Sequence, residues 1–182
     1  MRELTLEQKI QKIKIYYEKY SQEIINFIYR STQDYPLSCD ILQDTFVNFL
    51  KVFSNKALID EEKVRFYLFQ TAKNLLINHY RKSKRIFFID FQNKTLMKSE
   101  MEEKLSQEAF SNSELQENEK KVQKLLSFLS IEERILILLR YHSNLKLEEI
   151  AELEKTSIST ISRRIEKIEK KLKEIAKKEK IL

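Results

Sequence analysis

Not one of the 182 residues of this chain is a glycine, and only Pro36 is a proline. Glycine supplies the positive φ of tight turns and lets backbone approach a phosphate closely. Without it, a P-loop, a dinucleotide-binding fingerprint and a nucleophile elbow lack their usual residues. The chain is instead rich in Leu, Ile, Lys and Glu, so the expected fold class is all-α. Hydrophobic residues form 42% of it, enough for folded cores; charged residues form 34%, which implies small cores under much wetted surface.

The formal net charge of +6 is unevenly spread. Between Lys155 and Lys180 ten Lys or Arg face four Glu; between Lys73 and Arg85 there are five Lys or Arg and no acid. Between Asp90 and Glu119 eight acids face three lysines. Two basic blocks separated by an acidic one is a pattern of nucleic-acid-binding surfaces joined by a linker. The single cysteine, Cys39, gives no internal disulfide and no metal cluster, which suits a reducing cytoplasm. No apolar run approaches the roughly 20 residues of a membrane helix. The N-terminal MRELTLEQKIQKIK lacks a signal-peptide core. Neither membrane insertion nor export is expected.

Periodicity predicts two small helical domains. The first spans residues 4–89. Ile10, Ile13, Tyr17, Tyr20, Ile24, Ile25, Phe27 and Ile28 fit one long amphipathic helix, which the stretch from Gln33 to Ser38 breaks at Pro36. A second helix is expected from Ser38, its N-cap, to Phe53, with Ile41, Leu42, Phe46, Phe49, Leu50 and Phe53 inward. A third runs from Asp60 to Arg85, with Phe66, Phe69, Ala72, Leu75 and Leu76 inward. Residues 90–118 lose periodicity and read as an acidic linker, although Leu96, Met97, Leu105, Ala109, Phe110 and Leu115 give it apolar points that can dock. The second domain spans residues 119–176, and 177–182 read as a basic tail. Val122, Leu125, Leu126, Phe128 and Leu129 predict a short helix. Ser130 with Glu133 forms a capping box before Ile135, Leu136, Leu138, Leu139 and Tyr141.

LEEIAELEKTSISTISRRIEKIEKKL, Leu147 to Leu172, reads as a helix-turn-helix. Ile150, Ala151 and Leu153 would face inward, Glu154-Lys155-Thr156 would turn, and Ser157 would cap the second helix. Ile158, Ile161, Ile165, Ile168 and Leu172 recur at steps of three and four, one apolar stripe. Ser159, Thr160, Ser162, Arg163, Arg164 and Lys167 fall off it, and short hydroxyls with arginines suit base edges and phosphates of DNA. The plainer reading is an amphipathic helix pair with a solvated basic face. Lys167, Lys170, Lys171 and Lys173 interleave with Glu166, Glu169 and Glu174 at helical spacing, so as a run they promise phosphate attraction at most.

Asp40, Gln43 and Asp44 share one helical face opposite the Phe stripe. On spacing alone their plainest role is to complement a helix dipole. Lys73, Asn74, Asn78 and Arg81 lie in a helix end where aromatics interleave with cations. They can hold unstacked bases and phosphates, or simply be solvated. His79 and His142 have no ligand-spaced partners and read as structural, and Cys39 lacks the context of a nucleophile. No metal or other cofactor is expected.

These constellations, in this order, resemble the extracytoplasmic-function (ECF) group of bacterial sigma factors, within the sigma-70 family. The resemblance covers most of the chain. DILQDTFVNFLKVF (Asp40 to Phe53) looks like the family's core-polymerase-binding helix, and RFYLFQTAKNLLINHYRKSKR (Arg65 to Arg85) is similar to its minus-10 recognition helix. LLSFLSIEERILILLRYHSNLKLEEIAELEKTSISTISRRIEKIEKKLKEI (Leu125 to Ile175) resembles the region that binds the minus-35 element. The resemblance implies that Asp40, Gln43 and Asp44 contact the clamp helices of the polymerase largest subunit. It implies that Lys73, Asn74, Asn78 and Arg81 lie near melted minus-10 DNA, and that the segment from Ser54 to Val64 captures a flipped base. Ser159, Thr160, Ser162, Arg163, Arg164 and Lys167 would enter the minus-35 major groove. Tyr67 stands where the family usually has Trp, Lys155 where the turn usually has Gly, and His79 at a commonly acidic or polar position.

The implied protein is a two-domain transcription initiation factor without enzymatic activity, whose partners are RNA polymerase core, promoter DNA and, as for many members, an anti-sigma factor. Its linker acids would mimic nucleic acid along the polymerase channel. The chain leaves no room for an added sensory domain, so regulation is expected from outside. A free-standing helix-turn-helix regulator, dimeric on a palindrome, is the alternative. A helical adaptor with merely solvated basic faces is a third reading, and a hydrolase or transferase the weakest.

Overall fold

In a computed structural model, residues 5–55, 61–87 and 113–181 are described, and every regular element among them is a helix. They are α1 (Leu6–Thr32), α2 (Tyr35–Asn55), α3 (Glu61–Phe87), α4 (Ser113–Ser127), α5 (Ile131–Tyr141), α6 (Leu147–Glu154) and α7 (Ile158–Lys178). The linker expectations for residues 90–112 lie outside the described residues, as does the part of the base-capture segment at 56–60.

Thr5 starts α1 with a reciprocal capping box to Gln8, satisfying two otherwise orphaned donors. Gln33 ends it in the left-handed conformation, its N–H donating to the Tyr29 carbonyl at 2.7 Å. The chain then re-enters a helix at once. The Asp34 carboxylate accepts the Leu37 N–H at 2.9 Å, so α2 begins at Tyr35 and not at Ser38 as expected. Pro36 falls in the first turn, where its missing N–H costs nothing. Ser38 is instead a buried residue whose hydroxyl reaches the Asp34 carbonyl and the Thr32 hydroxyl.

Helices α1, α2 and α3 pack together around Tyr16, Tyr20, Ile24, Phe27, Ile28, Phe46, Phe49, Leu68, Phe69 and Leu76. Of the adjacent pair on α1 the inward tyrosine is Tyr16, 4% exposed, whereas the expected Tyr17 is 47% exposed. Tyr16 continues the four-residue step to Tyr20 and Ile24 and meets Phe49 edge-on at 5.9 Å. Ile10 is likewise exposed.

The second block is built on α5. Ser130 and Glu133 form the expected capping box, and residues 135–139 are all buried. A helix with one core face would bury about half of such a run. Helix α5 buries every side because α6 and α7 cover one flank while α1 and α3 of the first block cover the other. One continuous hydrophobic core therefore passes through both blocks. Helix α4 begins at Ser113, six residues inside the segment read as linker, and Val122 and Phe128 on its side of the block are exposed. The residues read as a basic tail continue α7 to Lys178, and Ile181 is buried.

Three arginines join the blocks. Arg134 donates to the carbonyls of Ser31 at 2.7 Å, Leu126 at 3.0 Å and Leu129 at 3.4 Å, and burial lowers its pKa. Arg65 grips Glu23 and the Ser143 carbonyl and lies 5.0 Å over the Phe69 ring. Arg30 pairs with Glu119 at 3.0 Å. Beside them His142 is half-buried, with Nε2 lacking a partner among the described residues. Burial holds its imidazole below 6.5, helped by the charge of Arg30 and opposed by Glu119 and Glu23.

Candidate polymerase and nucleic-acid interfaces

Helix α2 divides cleanly. Ile41, Leu42, Thr45, Phe46 and Phe49 turn inward, and Asp40, Gln43 and Asp44 are all exposed on the opposite side. The next residue on that stripe, Val47, is also exposed, an apolar position among polar ones that periodicity had not singled out. Such a stripe suits a partner surface better than a helix dipole, because α2 begins five residues before Asp40.

Helix α3 presents Asn74, Asn78 and Arg81 to solvent on one face. His79 is exposed beside them, its ring edge-on to Tyr80 at 5.8 Å. Tyr67 packs on Phe49 at 5.9 Å, filling an aromatic position of the first core. Lys73 does not join this face. It is 5% exposed, and its ammonium donates to the Leu153 carbonyl at 2.7 Å and to Glu154 Oε1 at 3.1 Å. No local pattern announces that contact, which spans 80 sequence positions.

The helix-turn-helix is α6 and α7. Ile150, Ala151 and Leu153 are buried as expected, against Ile161, Ile165 and Ile168 of α7. Lys155 keeps the left-handed turn that glycine would favour, at φ 52° and ψ 46°, and the Thr156 N–H closes it on the Ala151 carbonyl at 3.0 Å. Ser157 caps α7 through the Thr160 N–H, and its hydroxyl lies 3.0 Å from that of Ser159 and 2.8 Å from that of Thr160. Ser159, Ser162, Arg163 and Lys167 are exposed, Thr160 and Arg164 partly so. Ile158, the first residue of the expected stripe, is exposed as well. Further along, Lys170 pairs with Glu166 at 2.9 Å and Lys171 with Glu133 at 2.7 Å. Those pairs neutralise Lys170 and Lys171, while Lys173, Lys177 and Lys178 stay exposed on the same end of α7.

Arg164 donates to Glu154 Oε2 at 2.9 Å. Each oxygen of Glu154 thus holds one cation, Lys73 from α3 and Arg164 from α7. Burial pushes the Glu154 carboxyl up, but hydrogen bonds from Arg164 and Lys73, with their charges, prevail and hold it below 4.5.

Residues 16–86, which hold α2 and nearly all of α3, match Sigma-70 region 2. The first helical block is a Sigma-70 region 2. A curated relative, RNA polymerase sigma factor YlaC of Bacillus subtilis, is 28% identical over 161 residues, covering 86% of this chain and 87% of that one. ECF RNA polymerase sigma factor SigM of the same organism is 33% identical over 69 residues, 38% of this chain and 40% of that one. In fold, a solved structure of the sigma factor RpoE from Bartonella quintana, in complex with the anti-sigma factor NepR, matches with a TM-score of 0.69 at 19% identity. That match covers 92% of this chain and 98% of that one, so both helical blocks share its fold. These matches support RNA polymerase sigma factor function, and a free-standing regulator is not favoured. No helix among the described residues is long and apolar enough to cross a membrane.

Proposed function

We propose that three separate faces divide the work of this sigma factor. Asp40, Gln43 and Asp44, extended by Val47, engage the polymerase core. Asn74, Asn78 and Arg81, joined by Lys73 once it is released, hold single-stranded minus-10 DNA, offsetting an unstacking cost of a few kcal/mol. Ser159, Thr160, Ser162, Arg163, Arg164 and Lys167 read the minus-35 duplex in the major groove. Residues 4–89 and 119–176 act as the two working domains, with 90–118 spanning between them. Bond-making belongs to the polymerase, so the chain carries no catalytic residue and works in the cytoplasm. An anti-sigma protein is a further partner class, as the relative from Bartonella quintana has one.

The supporting observation is the exposed Asp40–Gln43–Asp44 stripe on a helix inside the Sigma-70 region 2 match. The test is binding to purified bacterial RNA polymerase core by the wild type and by Asp40→Ala/Gln43→Ala/Asp44→Ala. Tight binding by the wild type, lost in the folded triple variant, is the expected result. Equal binding by both moves the core interface elsewhere on the chain.

A further inference from the structure

Two cations assigned above to different DNA elements end on one carboxylate. Lys73 and Arg164 sit 91 positions apart in sequence, in different blocks, yet Glu154 binds both. The arrangement around Lys73 imitates a phosphate. It offers one carboxylate oxygen of Glu154 and, at 2.7 Å, the Leu153 carbonyl, one of the unpaired acceptors at the C-terminal, electronegative end of α6. The ammonium is buried and satisfied there, so it cannot meet DNA without leaving.

We propose that Glu154 is an internal latch, a phosphate mimic that keeps the two blocks closed and withholds Lys73 from DNA until the blocks part, while DNA must compete with it for Arg164 inside its own block. This rests on the reading of those two residues as DNA-facing. The latch sits on a seam whose remaining ties are hydrogen bonds and ion pairs of Arg30, Arg65 and Arg134, added to the shared packing of α5. Losing one partner of a buried pair leaves the other charge uncompensated, so removing the Glu154 charge favours the open arrangement. DNA and the latch then compete for the same donors, and each shifts the closed–open equilibrium by its preference for one state.

The test uses the full chain with Cys39→Ser, Gln11→Cys and Lys177→Cys, dye-labelled on α1 and α7 for energy transfer. The DNA probe is a short random-sequence duplex with a single-stranded overhang, so that both DNA-facing surfaces can engage it. Glu154→Gln is compared with Glu152→Gln, an exposed neighbour on the same helix that changes net charge equally. Expected is a fall in transfer efficiency for Glu154→Gln alone, with duplex affinity about tenfold above that of the Glu152→Gln control, as release of a mostly closed population gives. Glu154→Asp, which keeps the charge but shortens its reach, should fall between and serves if the amide variant does not fold. Unchanged transfer in both Glu154 variants overturns the latch. A fall in transfer without added duplex affinity overturns the competition, and locates the failure in the DNA-facing reading of Lys73 and Arg164.

Discussion

Lys155 occupies the left-handed turn of the helix-turn-helix, and the strain it carries can be isolated by two substitutions. Left-handed backbone costs a residue with a Cβ about 1–2 kcal/mol, and glycine none of that. Against this, glycine gives the unfolded chain freedom worth about 0.4–1 kcal/mol. The Lys155 side chain is exposed, so no packing is lost with it. Its charge lies at the C-terminal end of α6, where a cation contributes roughly 0.3–1 kcal/mol. Lys155→Ala removes the charge and keeps the strain; Lys155→Gly removes both. The glycine variant should therefore exceed the alanine variant in stability by about 0.5–1 kcal/mol, although in an ordinary helical position alanine leads by about 1 kcal/mol. Urea titration of the full chain, followed by far-ultraviolet circular dichroism, gives both values. Alanine equal to or above glycine would refute the claim that this turn stays left-handed in solution. At Asn144, another left-handed position, the same comparison against the native residue should yield less, since asparagine tolerates that conformation better.

Ser130→Ala should cost about 1 kcal/mol by dissolving the capping box with Glu133, read as a lower urea midpoint. Arg163→Ala in the holoenzyme should cost roughly 1–3 kcal/mol in minus-35 binding and relax preference at one base pair if the arginine reads guanine; equal loss on every sequence would reassign it to phosphate. Acid should weaken the closed arrangement in two steps. His142, packed beside Arg30, Glu119 and Glu23, is held below 6.5, so the folded chain resists a proton that the unfolded chain accepts; stability is intact above 6.5 and erodes as pH falls through it. Glu154, facing Lys73 and Arg164, adds stability above 4.5 that is lost as pH falls through its depressed folded value. Energy transfer in the labelled chain, followed from neutral pH downward, should drop in both windows; a flat profile would contradict both assignments.

The parts legible in the sequence are those written in local spacing. The Ile161–Ile165–Ile168 stripe, the inward Ile150, Ala151 and Leu153, and the caps at Ser130 and Ser157 each follow from residues within two turns of one another. The start of α2 was hidden because Pro36 marks a helix interruption and a first helical turn equally well, and Asp34 decided between them. Tyr16 and Tyr17 are chemically identical neighbours and each meets a phenylalanine of α2 edge-on, Phe49 and Phe46, so type and local contact alone do not tell which one is buried. Ile137 completes the buried run with Ile135, Leu136, Leu138 and Leu139 but was not singled out, because nothing local says that a second flank of this helix is covered by α1 and α3. The candidate surfaces were legible where exposure alone defines them, as at Asp40, Gln43, Asp44, Asn74, Asn78 and Arg163. Lys73 was not, because burial of a cation depends on a carboxylate and a helix end supplied from another block.

The position of α5 has a consequence for the order in which the protein is made. Synthesis delivers about 5–20 residues per second. Helical bundles assemble in microseconds to milliseconds. Helices α1 to α3 are therefore packed well before residue 131 leaves the ribosome. When α5 emerges, its outward flank meets a finished apolar surface, and Arg134 meets the waiting Ser31 carbonyl. Each newborn copy thus enters the joined form first, with no DNA and no polymerase involved. Competence to act is something the finished chain acquires later, by coming apart along a surface on which it was assembled.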